Sequence, residues 1–570
     1  MTDITSSQSR SNTQNCANKR KEATNTGADS ESKRAKKGIR GLFKRSKSQS
    51  STPADYEVLI IGAGIAGIGM ACYLQQQNTQ FFDHKNPTKQ KRTAKKKQKD
   101  QPSAQRFVVL EKREDLGGTW DLFDYPGIRS DSDALTFGYS FRPWVNHRML
   151  ASGSDIKSYI ADTAREFKVI EHIRYRHEVQ QLSWSSRYQQ WTAMVKNHGS
   201  GEVFILTANF VVGATGYYDY KAGYRPHFEG EEDFKGHIVH PQHWQDVDYN
   251  DKKVVIIGSG ATAMTLMPAL VDETGDQCAR HVTMLQRSPT YVASVPGDDY
   301  ALDWLSAKYS PLSKQQAYTL LRVRNVLRQQ GVYQVAVHAP SVMKGLLKHW
   351  AKQELKGSGV KIDHFLPDYN PWDERLCAVP DSDLFLALHG TRAEVVTDHI
   401  SHFTETGIML KSGKHLDADI IVTATGLKLQ MLGGAKVYVD GEAVDVGSRM
   451  TYKAVMIEGL PNMAVMFGYT NASWTLKVDL ACYYLMRLLG YMKKHRYHTV
   501  LPQAEIENEK VQAQADTIMG SLSAGYISRA KDELPKQGDR YPWKVTSNYL
   551  SDRIMLKHRQ IKDKWLRFSR

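Results

Sequence analysis

The sequence predicts an α/β protein built from two Rossmann-like, dinucleotide-binding domains, the first of which is discontinuous along the chain. Two segments, "YEVLIIGAGIAGIGMACYL" and "VVIIGSGATAMTLMPAL", each have the pattern of a buried strand, a glycine turn and a helix. Two later segments, "ANFVVGATGYY" and "DADIIVTATGLKL", are apolar strands that end in Ala-Thr-Gly. We interpret them as the places where the chain crosses between the domains, so that sequence after about residue 395 completes the first one.

The composition is that of a globular protein with more than one domain. The chain has 570 residues, of which 41% are hydrophobic and 24% charged, and this length exceeds one ordinary core. No apolar run approaches the roughly 20 residues of a membrane-spanning helix. The amino terminus has no apolar secretory core, and the five cysteines form no CxxC pair. We therefore expect a cytoplasmic protein with at most peripheral membrane contact.

The net charge of +15 lies in two segments rather than in the body of the chain. Residues 1–54 carry 12 Lys/Arg against 4 Asp/Glu, and residues 84–106 carry 9 against 1, which leaves the remainder near neutral. We predict a disordered basic tail and a disordered basic insertion. Nucleic-acid binding is not expected, because these charges lack the aromatic side chains that stack on bases. Weak attachment to an anionic membrane surface stays open.

The first glycine turn has the spacing of a dinucleotide-binding fingerprint. Gly62, Gly64 and Gly67 complete the pattern G-x-G-x-x-G between the strand and the helix. The first glycine permits the tight turn, the second lets the backbone approach a pyrophosphate, and the third lets helix and strand pack closely. The phosphates would then lie at the positive end of the helix.

A ribose ligand is expected about 20 positions after such a turn, at the end of the next strand. The strand "FVVLEK" ends in Glu111, which lies 44 residues after Gly67. Removal of the 23-residue basic insertion, 84–106, leaves a spacing of 21. We therefore predict that Glu111 holds a ribose; the alternative is a surface glutamate at a strand end.

The second glycine turn predicts a different nucleotide. Gly258, Gly260 and Ala263 form G-x-G-x-x-A, and the next strand ends in Arg287 and Ser288 without an acid. Because an arginine pairs with a 2′-phosphate that a carboxylate would repel, this domain favours NADP over NAD. The alternative is a merely solvent-facing arginine. Two such domains in one chain indicate a flavin bound at the first and a nicotinamide nucleotide at the second.

Two stretches resemble a known family. "LEKREDLGGTWDLFDYPGIRSDSDALTFGYSFRPW" resembles the flavin-contact region of class B flavoprotein monooxygenases. "FKGHIVHPQHW" resembles the fingerprint F-x-G-x-x-x-H-x-x-x-W of Baeyer–Villiger monooxygenases, through Phe234, Gly236, His240 and Trp244. The resemblance implies structural and domain-coupling roles for His240 and Trp244, and no bound metal. The other two histidines of this run lie outside the fingerprint.

Three further stretches resemble one branch of that family. "DYNPWDERLCAVPDSDLF", "GYTNASWTLK" and "ELPKQGDRYPW" are similar to the branch that contains ethionamide monooxygenase and the AlmA-type long-chain alkane monooxygenases. The resemblance runs from about residue 55 to about 550, apart from the basic insertion. Several independent motifs in the same order make a chance match implausible.

The resemblance implies a reaction and its catalytic residues. NADPH would reduce FAD, oxygen would add at C4a of the flavin, and the C4a-peroxyflavin would transfer one oxygen atom to a small apolar substrate. Arg375, in "PWDERL", matches the family's catalytic arginine, and Asp131, in "YPGIRSD", matches the carboxylate that orients it. A fixed cation at this place stabilises negative charge on the peroxide. An ordinary surface salt bridge is the alternative for Arg375.

The other predicted contacts follow from the glycine turns and from the resemblance. Trp474, in "NASWTLK", resembles a tryptophan near the nicotinamide ribose, with a core tryptophan as the alternative. Glu374 occupies a position where family members often have a lysine for the 2′-phosphate, so NADPH preference depends on Arg287. The predicted FAD contacts are Gly62, Gly64, Ala66, Gly67, Glu111, Thr119, Trp120, Asp121, Leu122, Asp131 and Val179. The predicted NADP contacts are Gly258, Ser259, Gly260, Ala261, Thr262, Ala263, Arg287, Ser288 and Trp474.

The predicted organisation follows from these positions. The basic tail occupies residues 1–54, and the FAD-binding domain begins with 55–220, which contain the insertion at 84–106. Residues 221–395 form the NADP-binding domain, with a helical insertion at about 297–362 where amphipathic patterns replace strand patterns. Residues 396–500 complete the FAD-binding domain. Residues 501–570 are a C-terminal extension that packs on the core.

The sequence does not decide between several classes of substrate and function. Oxygenation of a ketone to an ester is the first interpretation, and S- or N-oxygenation or oxidation of a long alkyl chain by the same flavin chemistry is the second. A disulfide reductase would need a redox cysteine pair, which the sequence lacks. A flavin-binding redox scaffold without catalysis is the remaining alternative. The oligomeric state is not predicted.

Overall fold

The computed structural model describes residues 53–78, 106–244, 246–307, 310–374, 376–520 and 525–570. The predicted basic tail and basic insertion lie outside the described residues, except for 53–54 and Arg106. Arg375, the predicted catalytic arginine, also lies outside them.

The strands are numbered β1 to β29 in chain order. The first half of the chain contains β1 Tyr56–Ile61, β2 Phe107–Leu110, β3 Arg129–Asp133, β4 Leu150–Ser152, β5 Ile173–Arg174, β6 His177–Ser185, β7 Gln190–Asn197, β8 Val203–Gly213, β9 His237–Val239, β10 Lys253–Ile257, β11 His281–Gln286 and β12 Tyr291–Val295. The second half contains β13 Leu376–Pro380, β14 Ala393–Thr397, β15 Ile400–Thr404, β16 Gly407–Leu410, β17 His415–Asp417, β18 Ile420–Thr423, β19 Lys436–Val439, β20 Glu442–Val444, β21 Thr451–Tyr452, β22 Met456–Ile457, β23 Met463–Val465, β24 Thr499–Pro502, β25 Glu505–Ile506, β26 Glu509–Lys510, β27 Ala513–Thr517, β28 Lys536–Gly538 and β29 Leu566–Ser569.

The α-helices are numbered in the same way. They are α1 Ile65–Asn78, α2 Thr119–Leu122, α3 Ala134–Phe137, α4 Gly153–Glu166, α5 Ala261–Leu270, α6 Ala301–Leu305, α7 Lys314–His338, α8 Pro340–Glu354, α9 Asp383–His389, α10 Trp474–His495, α11 Gly525–Arg529 and α12 Tyr549–Arg553. Short 3₁₀ turns are Ile170–His172, Pro241–His243, Ile362–Phe365 and Leu432–Gly434, and a π turn is Ile554–His558.

The first sheet is formed by two separate parts of the chain. Its strand order is β20-β19-β6-β7-β8-β1-β2-β5, and β23 pairs with β8. Strand β1 is parallel to both β2 and β8, and its side chains Leu59 and Ile60 are buried in different cores on the two faces of the sheet. Burial on both faces explains why β1 is an unbroken apolar run. Because β19 to β23 come after the second sheet, the predicted discontinuous domain is confirmed.

The second sheet is parallel throughout, with the order β14-β11-β10-β18-β9. Strand β18, Ile420–Thr423, lies beside β10, and the hairpin strands β15 to β17 lie between β14 and β18 in sequence. The predicted boundary at 395/396 is therefore too early, since the chain returns to the first sheet only at β19. The cause is that β18, whose four residues are all buried, adds a strand to the second sheet, while the prediction ended that domain at β14.

The helical insertion predicted at about 297–362 is present as α6, α7 and α8, between β12 and β13. Helix α7 begins with a capping box, in which Ser313 and Gln316 each bond the other's backbone N–H. One side of α7 packs against α3. The insertion thus belongs to the second domain in sequence and contacts the first domain in space.

A buried ion pair fixes α7 to α10. Arg322 Nη2 lies 2.9 Å from Asp479 Oδ2, and both side chains are 8% exposed. The same guanidinium donates to the carbonyl oxygens of Leu135 and Thr136 at 2.9 and 3.0 Å. Asp479 Oδ2 also accepts from the backbone N–H of Ser140 at 2.9 Å. A paired and hydrogen-bonded charge of this kind tolerates burial, whereas either partner alone does not.

Replacement of Asp479 by alanine is expected to lower the free energy of unfolding by about 3–5 kcal/mol, because it leaves the Arg322 charge buried and unpaired. The matched control is Asp162→Ala, which removes an exposed ion pair with Arg165 (side chains 55% and 67% exposed). That change is expected to cost less than about 1 kcal/mol. Urea unfolding of both variants measures the difference. Equal losses would contradict the role given to the buried pair.

The C-terminal region lies against α10. Lys477 in α10 pairs with Asp552 in α12 at 2.7 Å, with side chains 4% and 1% exposed. Tyr469 donates to the same carboxylate at 2.6 Å. Trp543 is fully buried in the core that also contains β1 and α10. Residues after 501 therefore contribute both apolar and charged contacts to the first domain.

Candidate functional site

The first glycine turn leaves no room for a larger side chain. Gly62 has φ +103°, and a Cβ there would lie 2.6 Å from the carbonyl oxygen of Ala214. A Cβ on Gly67 would lie 1.9 Å from the carbonyl oxygen of Gly62, so α1 packs directly on the turn. Gly62, Gly64 and Ala66 line a cleft between the two domains, with a volume of about 440 Å³. Gly67 does not line the cleft, and its contribution is the close packing of helix and turn.

Glu111 stabilises the same turn. Its Oε2 accepts from the backbone N–H of Ala63 at 2.7 Å, and its Oε1 accepts from Arg113 N–H at 2.9 Å. Burial raises the pKa of Glu111, and the two backbone donors oppose this shift. The residue lines the cleft at the end of β2. It is therefore placed where a ribose hydroxyl can reach it, and it also holds the turn in position.

The segment after the first fingerprint divides into two groups of residues. Thr119 and Trp120 line the cleft. Asp121 instead accepts from Arg113 Nε at 2.6 Å and pairs with Lys157 Nζ at 2.7 Å. Leu122 is buried in the core of the second domain. Asp121 and Leu122, which were predicted as FAD contacts, do not line the cleft, because the single turn of α2 directs them away from it.

Two further predicted flavin contacts face the cleft. Val179 in β6 and Asp131 in β3 both line it, and Asp131 is exposed to solvent. Tyr220, which was not predicted, lies at the chain crossing after β8 and also lines the cleft. Burial raises the pKa of the Tyr220 hydroxyl well above its usual range, and a hydrogen bond with Thr119 opposes this. The run of tyrosines after "ATG" was the available sequence signal.

The second glycine turn faces the same cleft from the other domain. Gly258 has φ +138°, and a Cβ there would lie 2.4 Å from the carbonyl oxygen of Ala424. Around Gly260, by contrast, a Cβ would meet no described atom within 4 Å. Gly260, Ala261 and Thr262 line the cleft at the start of α5. The open space above Gly260 is suited to the close approach of a phosphate.

The remaining residues of this fingerprint support the turn without lining the cleft. Ser259 Oγ donates to the carbonyl oxygen of Ser288 at 3.1 Å and lies 3.0 Å from Thr290 Oγ1. Ala263 is fully buried in the core of the second domain. Arg287 and Ser288 follow β11 and are exposed. Arg287, the predicted ligand of the 2′-phosphate, thus lies on the surface and is not one of the residues that line the cleft.

Glu374 and Arg287 interact electrostatically. Glu374 lines the cleft. Burial raises the pKa of its carboxyl group, and the charge of Arg287 opposes this shift. Trp372, two residues earlier, has φ +72°, a strained conformation for a bulky residue, and also faces the cleft. Arg375 itself lies outside the described residues, but Glu374 and Leu376 on either side of it both line the cleft.

The structure adds Arg129 to the site. It lies two positions before Asp131 in β3, so the two residues share one face of the strand. Arg129 Nη1 pairs with Asp383 Oδ2 at 2.7 Å, which connects β3 to α9 of the second domain. Its Nε and Nη2 are buried and have no hydrogen-bond partner among the described residues. Both nitrogens are therefore left to donate to a group bound in the cleft.

Trp474, the predicted contact of the nicotinamide ribose, begins α10 and lines the cleft. Its ring covers Gly468, where a Cβ would fall 2.1 Å from the indole Cγ. The indole N–H is buried and has no acceptor among the described residues. The side chain is therefore fixed by packing on one side, with its polar atom left for another partner.

His240 lies against the second chain crossing. Its Nδ1 accepts from Gln242 N–H at 3.1 Å, and its Nε2 lies 3.3 Å from the carbonyl oxygen of Gly426. Burial lowers the pKa of His240, which favours the neutral ring. Trp244 is buried in the core of the second domain. This geometry fits a structural role, and the described residues contain no cluster of three or more His, Cys, Asp or Glu that could hold a metal.

Taken together, the cleft fits two dinucleotides. One glycine turn from each domain faces it, and each turn has a helix amino terminus behind it. The space above Gly260 is open. Arg129 and Trp474, which line the cleft, have buried donors without a partner among the described residues. A group bound in the cleft can accept hydrogen bonds from these donors.

Comparison with known proteins identifies the family. The model of flavin-binding monooxygenase-like proteins matches residues 137–322. The probable FAD-binding monooxygenase AlmA of Acinetobacter baylyi is 47% identical over 515 residues, which cover 90% of this chain and 96% of that protein. This chain belongs to the flavin-binding monooxygenase-like family. The FAD-containing monooxygenase EthA of Mycobacterium tuberculosis is 45% identical over 518 residues, covering 90% of this chain and 98% of that protein.

A solved structure of the same architecture is OTEMO in complex with FAD and NADP. It has a TM-score of 0.60 and 20% identity to this flavin-binding monooxygenase-like chain, covering 79% of this chain and 87% of OTEMO. The predicted family, the enzyme class of flavoprotein monooxygenase and the architecture with two Rossmann-like domains are confirmed. In the described part of the chain, no helix is both long and apolar enough to cross a membrane.

Proposed function

We propose that this chain is an FAD- and NADPH-dependent monooxygenase that transfers one oxygen atom of O₂ to a small apolar substrate. The principal reaction is Baeyer–Villiger oxidation of a ketone to an ester. The observation that carries this proposal is that the glycine turns of both domains face one cleft. Groups bound at the two turns would meet between the domains, as hydride transfer to a flavin requires. Because NADPH is an intracellular reductant, the reaction is expected in the cytoplasm.

FAD would bind at the turn of the first domain. The backbone at Gly62 and Gly64 would approach the pyrophosphate at the start of α1, and Glu111 would accept from a ribose hydroxyl. Thr119 and Trp120 line the cleft beyond the ribose position and would contact the isoalloxazine ring. Bound FAD supplies the oxygen activation, and the protein supplies orientation and electrostatics.

NADPH would bind at the turn of the second domain. Gly260, Ala261 and Thr262 would hold its pyrophosphate, and Arg287 would pair with the 2′-phosphate. Trp474 would cover the nicotinamide ribose, with its indole N–H as a donor. The carboxylate of Glu374 weakens this arrangement, since it attracts Arg287 and repels a phosphate.

Charged residues near the centre of the cleft would stabilise the reacting oxygen. Arg375 keeps its charge at any working pH, and Asp131 on β3 would orient it. Arg129 extends the positive potential along the same strand, held by Asp383. The apolar walls include Phe123, Trp372 and Leu376. They would exclude water from the negative charge that forms during transfer, which strengthens each of these interactions.

Oxygen transfer from ¹⁸O₂ tests the proposal directly. Purified enzyme with NADPH is given a panel of apolar ketones, sulfides and alkanes, and the products are analysed by mass spectrometry. We expect one ¹⁸O atom in the ester formed from a ketone, with NADPH consumption coupled to product. NADPH oxidation without labelled product from any substrate would reject a monooxygenase. Labelled sulfoxide without labelled ester would retain the enzyme class and reject the principal reaction.

The choice between NADPH and NADH is expected to depend on Arg287. Loss of one charge-assisted contact in Arg287→Gln should raise the KM for NADPH about 10- to 100-fold and leave the kinetics with NADH nearly unchanged. Glu374→Gln is the matched variant of opposite sign and should lower the KM for NADPH. Steady-state kinetics with both nucleotides measure this. Equal changes for NADPH and NADH would show that Arg287 does not contact the 2′-phosphate.

A further inference from the structure

The helical insertion exposes a concentration of large apolar side chains. Of the eighteen exposed large apolar side chains in the described part of the chain, eleven lie between residues 300 and 350. Single exposed apolar residues are ordinary on protein surfaces, whereas a concentration of them marks an interaction surface. We call this region the insertion surface and define it as the outward sides of α7 and α8.

Helix α7 has an apolar stripe on its outer side. Leu320, Val323 and Leu327 are 54%, 44% and 53% exposed, and they follow one another at spacings of three and four. This spacing places them on one side of the helix. The opposite side contains Tyr318 and Arg322, which are buried against α3 and hydrogen-bonded to it. The opposite side of α7 already attaches the helix to the first domain, so the apolar stripe is an additional surface that α7 does not need for its own packing.

Helix α8 repeats this arrangement and adds charge. Val342, Leu346 and Trp350 lie at successive spacings of four and are 57%, 40% and 47% exposed. A parallel basic stripe has the same spacing and consists of Lys344, Lys348 and Lys352. The inner side of the helix is again packed, through Met343, Leu347 and Ala351. The two stripes are offset by two positions, or about 200° around the helix, so they lie on opposite flanks of its packed inner side.

The charge of the two helices is strongly one-sided. Residues 314–354 contain seven Lys/Arg and one Asp/Glu. Arg322 is paired with Asp479 in the interior, and Arg324 is paired with Asp299. The other five cations have no ion-pair partner among the described residues. Exposed apolar side chains together with an excess of cations that have no ion-pair partner are typical of helices that lie on an anionic membrane surface.

We propose that the insertion surface docks on an anionic lipid bilayer, with Leu346 and Trp350 entering the interface and the lysines contacting headgroups. A second copy of this chain fits less well, because a symmetric contact would bring two surfaces with the same excess of positive charge together. Docking by this surface is peripheral and needs no spanning helix. Helix α8 packs against β12, and β12 pairs with β13, whose residues Leu376 and Cys377 line the cleft. Docking by this surface would therefore bring the cleft near the apolar compounds dissolved in the bilayer. The docking itself does not depend on the proposed reaction.

Vesicle flotation of the full-length protein tests this. Vesicles of phosphatidylcholine alone are compared with vesicles that also contain phosphatidylglycerol. We expect the protein to float with the anionic vesicles, and L346S/W350S to reduce the bound fraction by at least about fivefold. K344Q/K348Q/K352Q should reduce binding to the anionic vesicles only. The matched control is Leu386→Ser, an exposed leucine (63%) on α9, which should bind as the native protein does.

The outcomes separate the possible occupants of the surface. FAD content, thermal unfolding and NADPH turnover with a soluble ketone should be unchanged in every variant, which shows that the fold is intact. Equal flotation of native protein and both helix variants would overturn the proposal. Absence of native flotation would also overturn it, and self-association that L346S/W350S removes, measured by light scattering, would then show that the surface joins two copies. Binding of an acidic protein without vesicle binding would also overturn it.

Discussion

Replacement of Gly67 by alanine is expected to release FAD from the protein. The added Cβ would lie 1.9 Å from the carbonyl oxygen of Gly62, closer than any van der Waals contact. Helix α1 must then move away from the turn, and the pyrophosphate loses both the turn and the helix end that receive it. We expect the FAD content of the purified variant to fall at least about tenfold. The ratio of flavin to protein absorbance measures this.

Gly490→Ala is the matched control, since it makes the same change in the interior of α10, where a Cβ meets no described atom within 4 Å. This variant should keep its full FAD content and gain slightly in stability, because alanine favours the helix. If Gly67→Ala binds FAD as tightly as Gly490→Ala does, the turn after β1 is not the flavin site.

Replacement of Arg375 by alanine is expected to reduce ester formation roughly 100- to 1,000-fold, the usual effect of removing one stabilising donor from an active site. NADPH oxidation should continue, with the reducing equivalents lost to peroxide instead of product. FAD content should be unchanged, because the flavin would be held by the first glycine turn. Arg375→Lys should recover part of the coupling, since it restores the charge without the planar geometry.

Arg165→Ala is the control for loss of an arginine, because this side chain is 67% exposed on α4. It should form ester at the native rate. Full ester formation by Arg375→Ala would transfer the role to another cation of the cleft. Arg129, with two unpartnered nitrogens beside Asp131 on β3, would then be the first candidate.

The glycine turns could be predicted from the sequence because their constraints are local. Gly62 and Gly67 are five positions apart, and the contact that excludes a side chain on Gly67 is made with Gly62 itself. The spacing to Glu111 was readable once the basic insertion was recognised by its charge. Patterns of this kind depend on residues that are close along the chain, so they can be recognised in a single sequence.

Side-chain direction within a motif could not be predicted in the same way. Asp121 and Leu122 were predicted together with Thr119 and Trp120 because the whole stretch resembles the family's flavin-contact region. The single turn of α2 separates them, and Lys157 in α4 takes the carboxylate of Asp121. The position of Lys157 relative to α2 follows from the tertiary fold, which the motif does not specify.

Contacts between segments that are distant in the sequence could not be predicted either. Arg129 enters the site because Asp383 holds it from the other domain, and nothing near Arg129 in the sequence indicates that partner. The domain boundary was misplaced for a similar reason. Strand β18 is short and apolar, and only its pairing with β10 shows to which sheet it belongs.

The pairing of β8 with β23 has a consequence for how the protein is made. One edge of residues 211–213 pairs with β1, but the partners of the other edge are Met463, Ala464 and Val465 in β23. During synthesis on the ribosome, the second domain can therefore fold while this edge of β8 is still unpaired, because β23 has not yet been translated. An open strand edge invites wrong pairing with other chains. Nascent chains that stop before residue 463 should therefore need chaperones more than the finished protein does.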